Sequence, residues 1–316
     1  MPDFRVWLPF NRTDKYHGFK SITLVFLIHQ KKFDMKKVLI PTDFSANAYN
    51  AISYALKLYK NEETTFYLMN TYTPAVYQSE YLLFSPGQIG LGDIYQENSE
   101  KKLNEVKRCI LEEFNNPKHT FIIHSAFNTL VYEVVETVEN EKIDVVVMGT
   151  QGATGAKEIL LGTNTVHVIK QAKCPVLVVP PLHSFVAPKE ILFPTDYEID
   201  YEKTPLQQLT NIAKIHGSKI DILHVSSGNE LTDDQLENKS KLGELLEEIP
   251  HRFHDVTDQE IITAINNFQT DQKINLLTMV RNKHTFLERL FIEPIIKKIS
   301  FHVTIPFLVL PHNSKV

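Results

Sequence analysis

The chain repeats itself, and that constrains its fold more than any single motif does. Residues 38–45 read VLIPTDFS and residues 191–198 read ILFPTDYE, so Pro41-Thr42-Asp43 falls on Pro194-Thr195-Asp196. Further along, KIDVVVMG (142–149) falls on KINLLTMV (273–280), and CPVLVVP (174–180) falls on IPFLVLP (305–311). A fourth match sets FYLMNTYTP, from Phe66, against DILHVSSG, from Asp221. Four matches in one order point to two tandem copies, about 35–182 and 187–316. The second is the shorter, with most of the loss between its second and third strands.

Each copy alternates short apolar runs with amphipathic segments. In the first, 38–40, 66–69, 121–123, 143–148 and 175–179 read as strands. Most lack strict alternation, as strands covered on both faces do. Ser45 is placed to cap a helix whose apolar stripe is Ala48, Ile52, Ala55, Leu56 and Tyr59. Leu103, Val106, Ile110 and Phe114 mark a second helix, Leu130, Val134 and Val138 a third, and a fourth lies around 166–170. The order βαβαβαβαβ predicts an α/β fold: an open five-stranded parallel sheet with helices on both faces, built twice. Between the copies, PPLHSFVAP (180–188) carries three prolines and reads as a short stiff linker.

Length agrees with two domains, since 316 residues exceed what one core usually holds. A net charge of −5 gives no general basic surface for nucleic acid or anionic membrane. The two cysteines, Cys109 and Cys174, have no metal-ligand spacing. They suit a reducing cytoplasm and read as small buried hydrophobes. The longest apolar run near the start, ITLVFLI (22–28), is too short to span a bilayer and lacks a cleavage site. Residues 1–34 match nothing downstream, while Met35 opens MKKVLIPTDFS, so this stretch reads as an extension or a misassigned start.

Four of the eleven glycines fall in GTQGATGAKEILLG, residues 149–162. The loop follows a strand at the carboxyl edge of the sheet, where ligands of open α/β sheets bind. Gly149 and Gly152 would allow a sharp turn and close backbone approach. Gly162-Thr163-Asn164-Thr165 precedes a helix, whose N-terminal amides and dipole favour a phosphate. There is neither GxxxxGK[ST] nor GxGxxG. Lys157 lies inside the loop and reads equally as a phosphate neighbour or a solvated charge.

With Gly149, Gly152, Gly162 and Thr163 in G-x2-G-x9-G-[ST], the Pro-Thr-Asp turn with its Ser, and KCPVLVV at 173–179, the chain resembles the universal stress protein family in a tandem form. The resemblance implies two adenine nucleotide alpha hydrolase-like, Rossmann-like α/β/α sandwiches and an ATP site, with or without Mg2+, in the first copy. Pro41, Thr42 and Asp43 would sit at the adenosine end, with Thr71 framing the base. Met148 and Gly149 would flank the ribose and α-phosphate, and Gly152, Gly162, Thr163, Asn164 and Thr165 would hold the phosphates. Asp43 reads equally as a carboxylate favoured by a helix N-terminus, and the two roles are compatible. The resemblance also implies intramolecular pairing of the copies. A homodimer and an unidentified protein partner stay open, and neither nucleic acid nor membrane is expected.

In the second copy Val280, Lys283, Glu293 and Pro294 replace Gly149, Gly152, Gly162 and Thr163. Side chains, a negative charge and a lost N–H donor all oppose phosphate there, so ATP is not expected to bind that copy in the same way. His251, His254 and Asp255 could touch a metal, but spacing identifies no third ligand. No general base or nucleophile is apparent near the loop, Glu158 being the nearest carboxylate. Three readings stand: a non-catalytic ATP-binding stress or regulatory protein, which leads, a slow ATPase, and a nucleotide-free interaction module.

Overall fold

The computed structural model describes residues 35–73, 91–150, 161–181, 183–204, 206–226, 228, 230–257, 259–281 and 304–312, apart from the side chains of 91–93 and 203. Residues 35–316 form one compact unit. The first half runs β1 (Lys36–Pro41), α1 (Ala46–Leu58), β2 (Thr64–Tyr72), α2 (Leu91–Phe114), β3 (His119–Phe127), α3 (Leu130–Glu141), β4 (Val145–Gly149), α4 (Thr163–Gln171) and β5 (Val176–Val179). The second runs β6 (Glu190–Pro194), a 3₁₀ turn (Tyr201–Lys203), α5 (Gln207–His216), β7 (Lys219–Ser226), α6 (Asp233–Leu245), β8 (His251–Thr257), α7 (Ile261–Asp271), β9 (Leu276–Arg281) and β10 (Phe307–Pro311).

All ten strands join one sheet in the order β3-β2-β1-β4-β5-β10-β9-β6-β7-β8. Each five-strand half is parallel, and the halves meet through β5 and β10, which are antiparallel. Leu177 lies opposite Leu308 at this junction. The registers make these two residues equivalent, because Val146↔Val176 in one half corresponds to Leu277↔Phe307 in the other. A pseudo-twofold axis therefore passes between the two leucines, and the strands of the two halves run in opposite directions.

Alternation along the central strands sorts the side chains into two buried layers. Val38 and Ile40 face the layer of α1, α2, α5 and α6, with Ala55, Ile110, Leu209 and Leu242. Leu39 and Met148 face the layer of α3, α4 and α7, with Val134, Val168, Ile169 and Ile265. The result is the expected α/β/α sandwich. Ser45 caps α1 by accepting the Ala48 N–H at 3.1 Å. The five expected stripe residues of that helix are all buried. The shortening of the second half is plain in α6, 13 residues against 24 in α2.

Three sequence expectations need correction. Phe66 corresponds to Ile220, not Asp221, because Val38 pairs with Phe66 and Ile191 with Ile220. A slip of one residue puts every side chain on the wrong face. Strand β3 extends well beyond 121–123, its polar ends held by the nine-residue register with β2. Cys109 is exposed while Cys174 is buried. Cys109 lies on the solvent side of α2, beside buried Ile110. Burial raises the Cys174 thiol to a pKa of about 12, so it stays protonated. The extension 1–34 lies outside the described residues.

Candidate functional site

Strand order reverses between β1 and β4, neighbours in the sheet although three strands apart in sequence. At such a switch point the connections leave to opposite faces, opening a crevice at the carboxyl edge. The Pro-Thr-Asp turn stands at the end of β1, and Gly149 ends β4 beside it.

The turn is built by its own side chains. Thr42 Oγ1 accepts the Phe44 N–H and Asp43 Oδ1 accepts the Ser45 N–H, each at 3.0 Å. Together they hold Phe44 in the left-handed region, at φ 66°, a conformation uncommon for a bulky residue. The Thr42 N–H donates to Met69 O at 2.7 Å, locking the turn onto β2. Asp43 is exposed and Thr42 is buried. Thr71 lies one strand further, half-buried, opposite Ala126 of β3.

Sequence reasoning missed a chain of polar side chains beneath this turn. Asn70 Nδ2 donates to the Thr42 carbonyl at 2.7 Å, Ser99 Oγ donates to Asn70 Oδ1 at 2.8 Å, and Ser125 Oγ donates to Ser99 Oγ at 2.8 Å. It ties β1, β2, α2 and β3 together at the carboxyl edge. The available signal was Asn70 itself, a polar residue ending an apolar strand.

On the other side of the crevice, the Gly162 N–H donates to Thr150 O at 2.6 Å and Gly162 begins α4 without a side-chain cap. The first-turn amides of α4, at Thr163 and Asn164, thus have no partner within the helix. Both residues are exposed, whereas Thr165 is buried. The Thr165 hydroxyl donates to Gly149 O at 3.0 Å, fixing α4 to the end of β4. Met148 is buried with Val168 and Ile169, so its backbone is what reaches the edge. A Cβ on Gly149 would come within 2.7 Å of Asn47 Nδ2 on α1. The Thr150 hydroxyl is buried with no hydrogen-bond partner among the described residues. Gly152, Lys157 and Glu158 lie outside the described residues.

The second half preserves the turn and alters everything around it. Tyr197 N–H donates to Thr195 Oγ1 and Glu198 N–H to Asp196 Oδ1, each at 3.1 Å, and Tyr197 has φ 58°. Local bonding thus accounts for the Thr-Asp pair in both halves. Here, however, a 3₁₀ turn precedes the helix, and buried Tyr201 bonds Thr195 through its hydroxyl. Val280, at the place of Gly149, is buried in the same layer. His224 and Asp255 take the places of Asn70 and Ser125 and bond each other at 3.2 Å, with Lys239 on Asp255 at 3.3 Å. Burial raises the Asp196 carboxyl pKa. His254 turns to the opposite face, bonding Asp221 at 2.8 Å, and His251 bonds Ile249 O. Among the described residues no group of three or more His, Cys, Asp or Glu could hold a metal ion.

A parallel five-stranded half-sheet with a helix N-terminus at the edge of its switch point defines a Rossmann-like α/β protein. The profile of the Universal stress protein family matches residues 35–180. Universal stress protein MJ0531 of Methanocaldococcus jannaschii is 34% identical over 144 residues, covering 46% of this chain and 81% of its own. Universal stress protein MJ0577 of the same organism is 32% identical over 157 residues, covering 46% and 94%. The chain belongs to the universal stress protein family. A universal stress protein from Archaeoglobus fulgidus shares the fold at a TM-score of 0.66 and 18% identity, over 89% of this chain and 98% of that one.

Proposed function

We propose that the chain is a cytoplasmic, ATP-binding universal stress protein that acts as a non-catalytic stress-response or regulatory module. It comprises two family domains, 35–182 and 187–316, with one nucleotide site, in the first. The observation that carries this reading is the cradle where β1 meets β4. A Cβ on Gly149 there would meet the end of the Asn47 side chain at 2.7 Å, and the first-turn amides of α4 open onto the same edge. The buried Thr150 hydroxyl beside it is a further polar group available to a ligand.

In this reading the Thr163 and Asn164 amides and the Thr163 hydroxyl receive phosphate oxygens, aided by the helix dipole. Gly152 belongs to the same phosphate-binding set, and Mg2+, where present, would share the phosphate charge. Gly162 and Thr165 act by position, since the amide of the one and the hydroxyl of the other are engaged by the carbonyls of Thr150 and Gly149. Pro41, Thr42 and Asp43 form the wall for adenosine, with Thr71 at its margin and the Met148 backbone at the ribose. The second domain serves as an intramolecular pseudo-dimer partner.

The test is chromatography of nucleotide released from the purified, denatured protein, with thermal unfolding measured with and without Mg·ATP. Co-purifying ATP, or a higher melting temperature that Gly162→Glu abolishes, supports the reading. An empty protein that Mg·ATP does not stabilise overturns it.

A further inference from the structure

The first residue of the second half's loop has been redirected into the first half. The strand registers place Arg281 at the position of Thr150, since Val280 pairs with Leu310 as Gly149 pairs with Val179. Arg281 is thus the residue that would open a phosphate loop in the second half. Its side chain instead crosses the junction, and Nη1 donates to the Ile169 carbonyl of α4.

The topology explains why this reach is possible. Because β5 and β10 are antiparallel, the carboxyl edge of β9 lies at the amino edge of β4 and β5. A helix following β4 runs back along the sheet, so the C-terminus of α4 arrives where Arg281 stands. The Ile169 carbonyl belongs to the last turn of a helix ending at Gln171, and such carbonyls have no intrahelical partner. A guanidinium meets both the missing bond and the negative end of the dipole. The site is partly shielded from solvent, and burial lowers the Arg281 pKa, which leaves so basic a group charged. Buried Cys174, kept as a thiol, offers it no competing anion.

Helix α4 has nine residues, so its two ends are about 13 Å apart. Its N-terminus is held by the Thr165–Gly149 bond and its C-terminus by Arg281. A short helix pinned at both ends is fixed along its axis and in rotation. We propose that Arg281 is a positioning residue for the phosphate end of the first half's site. The degenerate half then contributes to ATP binding through the very loop position that lost its own glycine-rich context. This rests on the ATP reading above.

The experiment measures ATP and adenosine binding by calorimetry on the full chain, on Arg281→Ala and on Arg281→Lys, with melting temperatures alongside. Arg281→Ala is expected to weaken ATP roughly fivefold or more, the lower end of typical inter-site coupling. Adenosine affinity should stay unchanged, because adenosine does not touch α4, and Arg281→Lys should recover part of the loss. If Arg281→Ala does not fold, Arg281→Gln, which keeps a donor but no charge, takes its place. A parallel loss of ATP and adenosine, or no change in either, overturns the inference while leaving the ATP reading standing. A wild-type protein that binds neither ligand overturns the ATP reading and this inference with it, whereas one that binds adenosine and ATP equally overturns the inference alone.

Discussion

Leu177 and Leu308 face each other across the antiparallel β5–β10 pair, and they are the same position of the two halves. Both are fully buried. Each half therefore completes its core with the other's last strand, rather than presenting that strand as an open edge.

Truncation at this axis should be costly and symmetric. Leu177→Ala and Leu308→Ala are each expected to destabilise by about 2–5 kcal/mol, the usual range for fully buried leucine. Because the two touch the same axis, the double variant should depart from additivity. Urea unfolding of the four proteins measures both effects. Single costs below about 1 kcal/mol would show that the halves do not depend on this pairing.

Acid should destabilise the fold through its buried histidines. His216 Nε2 on α5 meets the Leu58 carbonyl at the end of α1 at 3.0 Å, tying the halves together. Burial lowers its pKa, and the bond to Leu58 offsets this in part. His119 and His183 are likewise lowered by burial. A histidine with a lowered folded-state pKa binds its proton more readily when unfolded. Its stabilising contribution is present above the unfolded value of 6.5 and declines as pH falls through the folded value. Melting temperature should thus drop as pH is lowered from about 6.5, and His216→Gln should flatten that slope. An unchanged slope in the variant would remove His216 from the account.

At Gly149 a single methyl group should discriminate ligand binding from folding. The Cβ of Gly149→Ala would lie 2.7 Å from Asn47 Nδ2, a side-chain end that would have to shift to admit it. ATP affinity is expected to fall roughly tenfold, or 1.4 kcal/mol, with little change in melting temperature. Loss of stability with retained ATP affinity would make Gly149 a packing residue only.

Much of this architecture was legible in the sequence because it is local. The Pro-Thr-Asp turn is dictated by two short side-chain bonds within four residues, and it recurs in both halves with the same geometry. The Ser45 cap and the α1 stripe follow from helix periodicity. What escaped depends on pairing between distant strands. The offset of β7 against β2 is set by hydrogen-bond register, which residue similarity between Phe66 and Asp221 could not reveal. The Asn70–Ser99–Ser125 chain joins three separate elements, and no spacing marks it. Arg281 in sequence is only a charge after a strand. Its role depends on the antiparallel junction, which brings the edge of one half to the foot of the other's helix.

The central claim, one ATP site per chain in the first half, is tested most directly by calorimetric titration of nucleotide-free protein with Mg·ATP. The account predicts a single class of sites at one ATP per chain, lost on Gly162→Glu and untouched by Asp196→Asn. Two ATP per chain, or binding that survives Gly162→Glu, would contradict it.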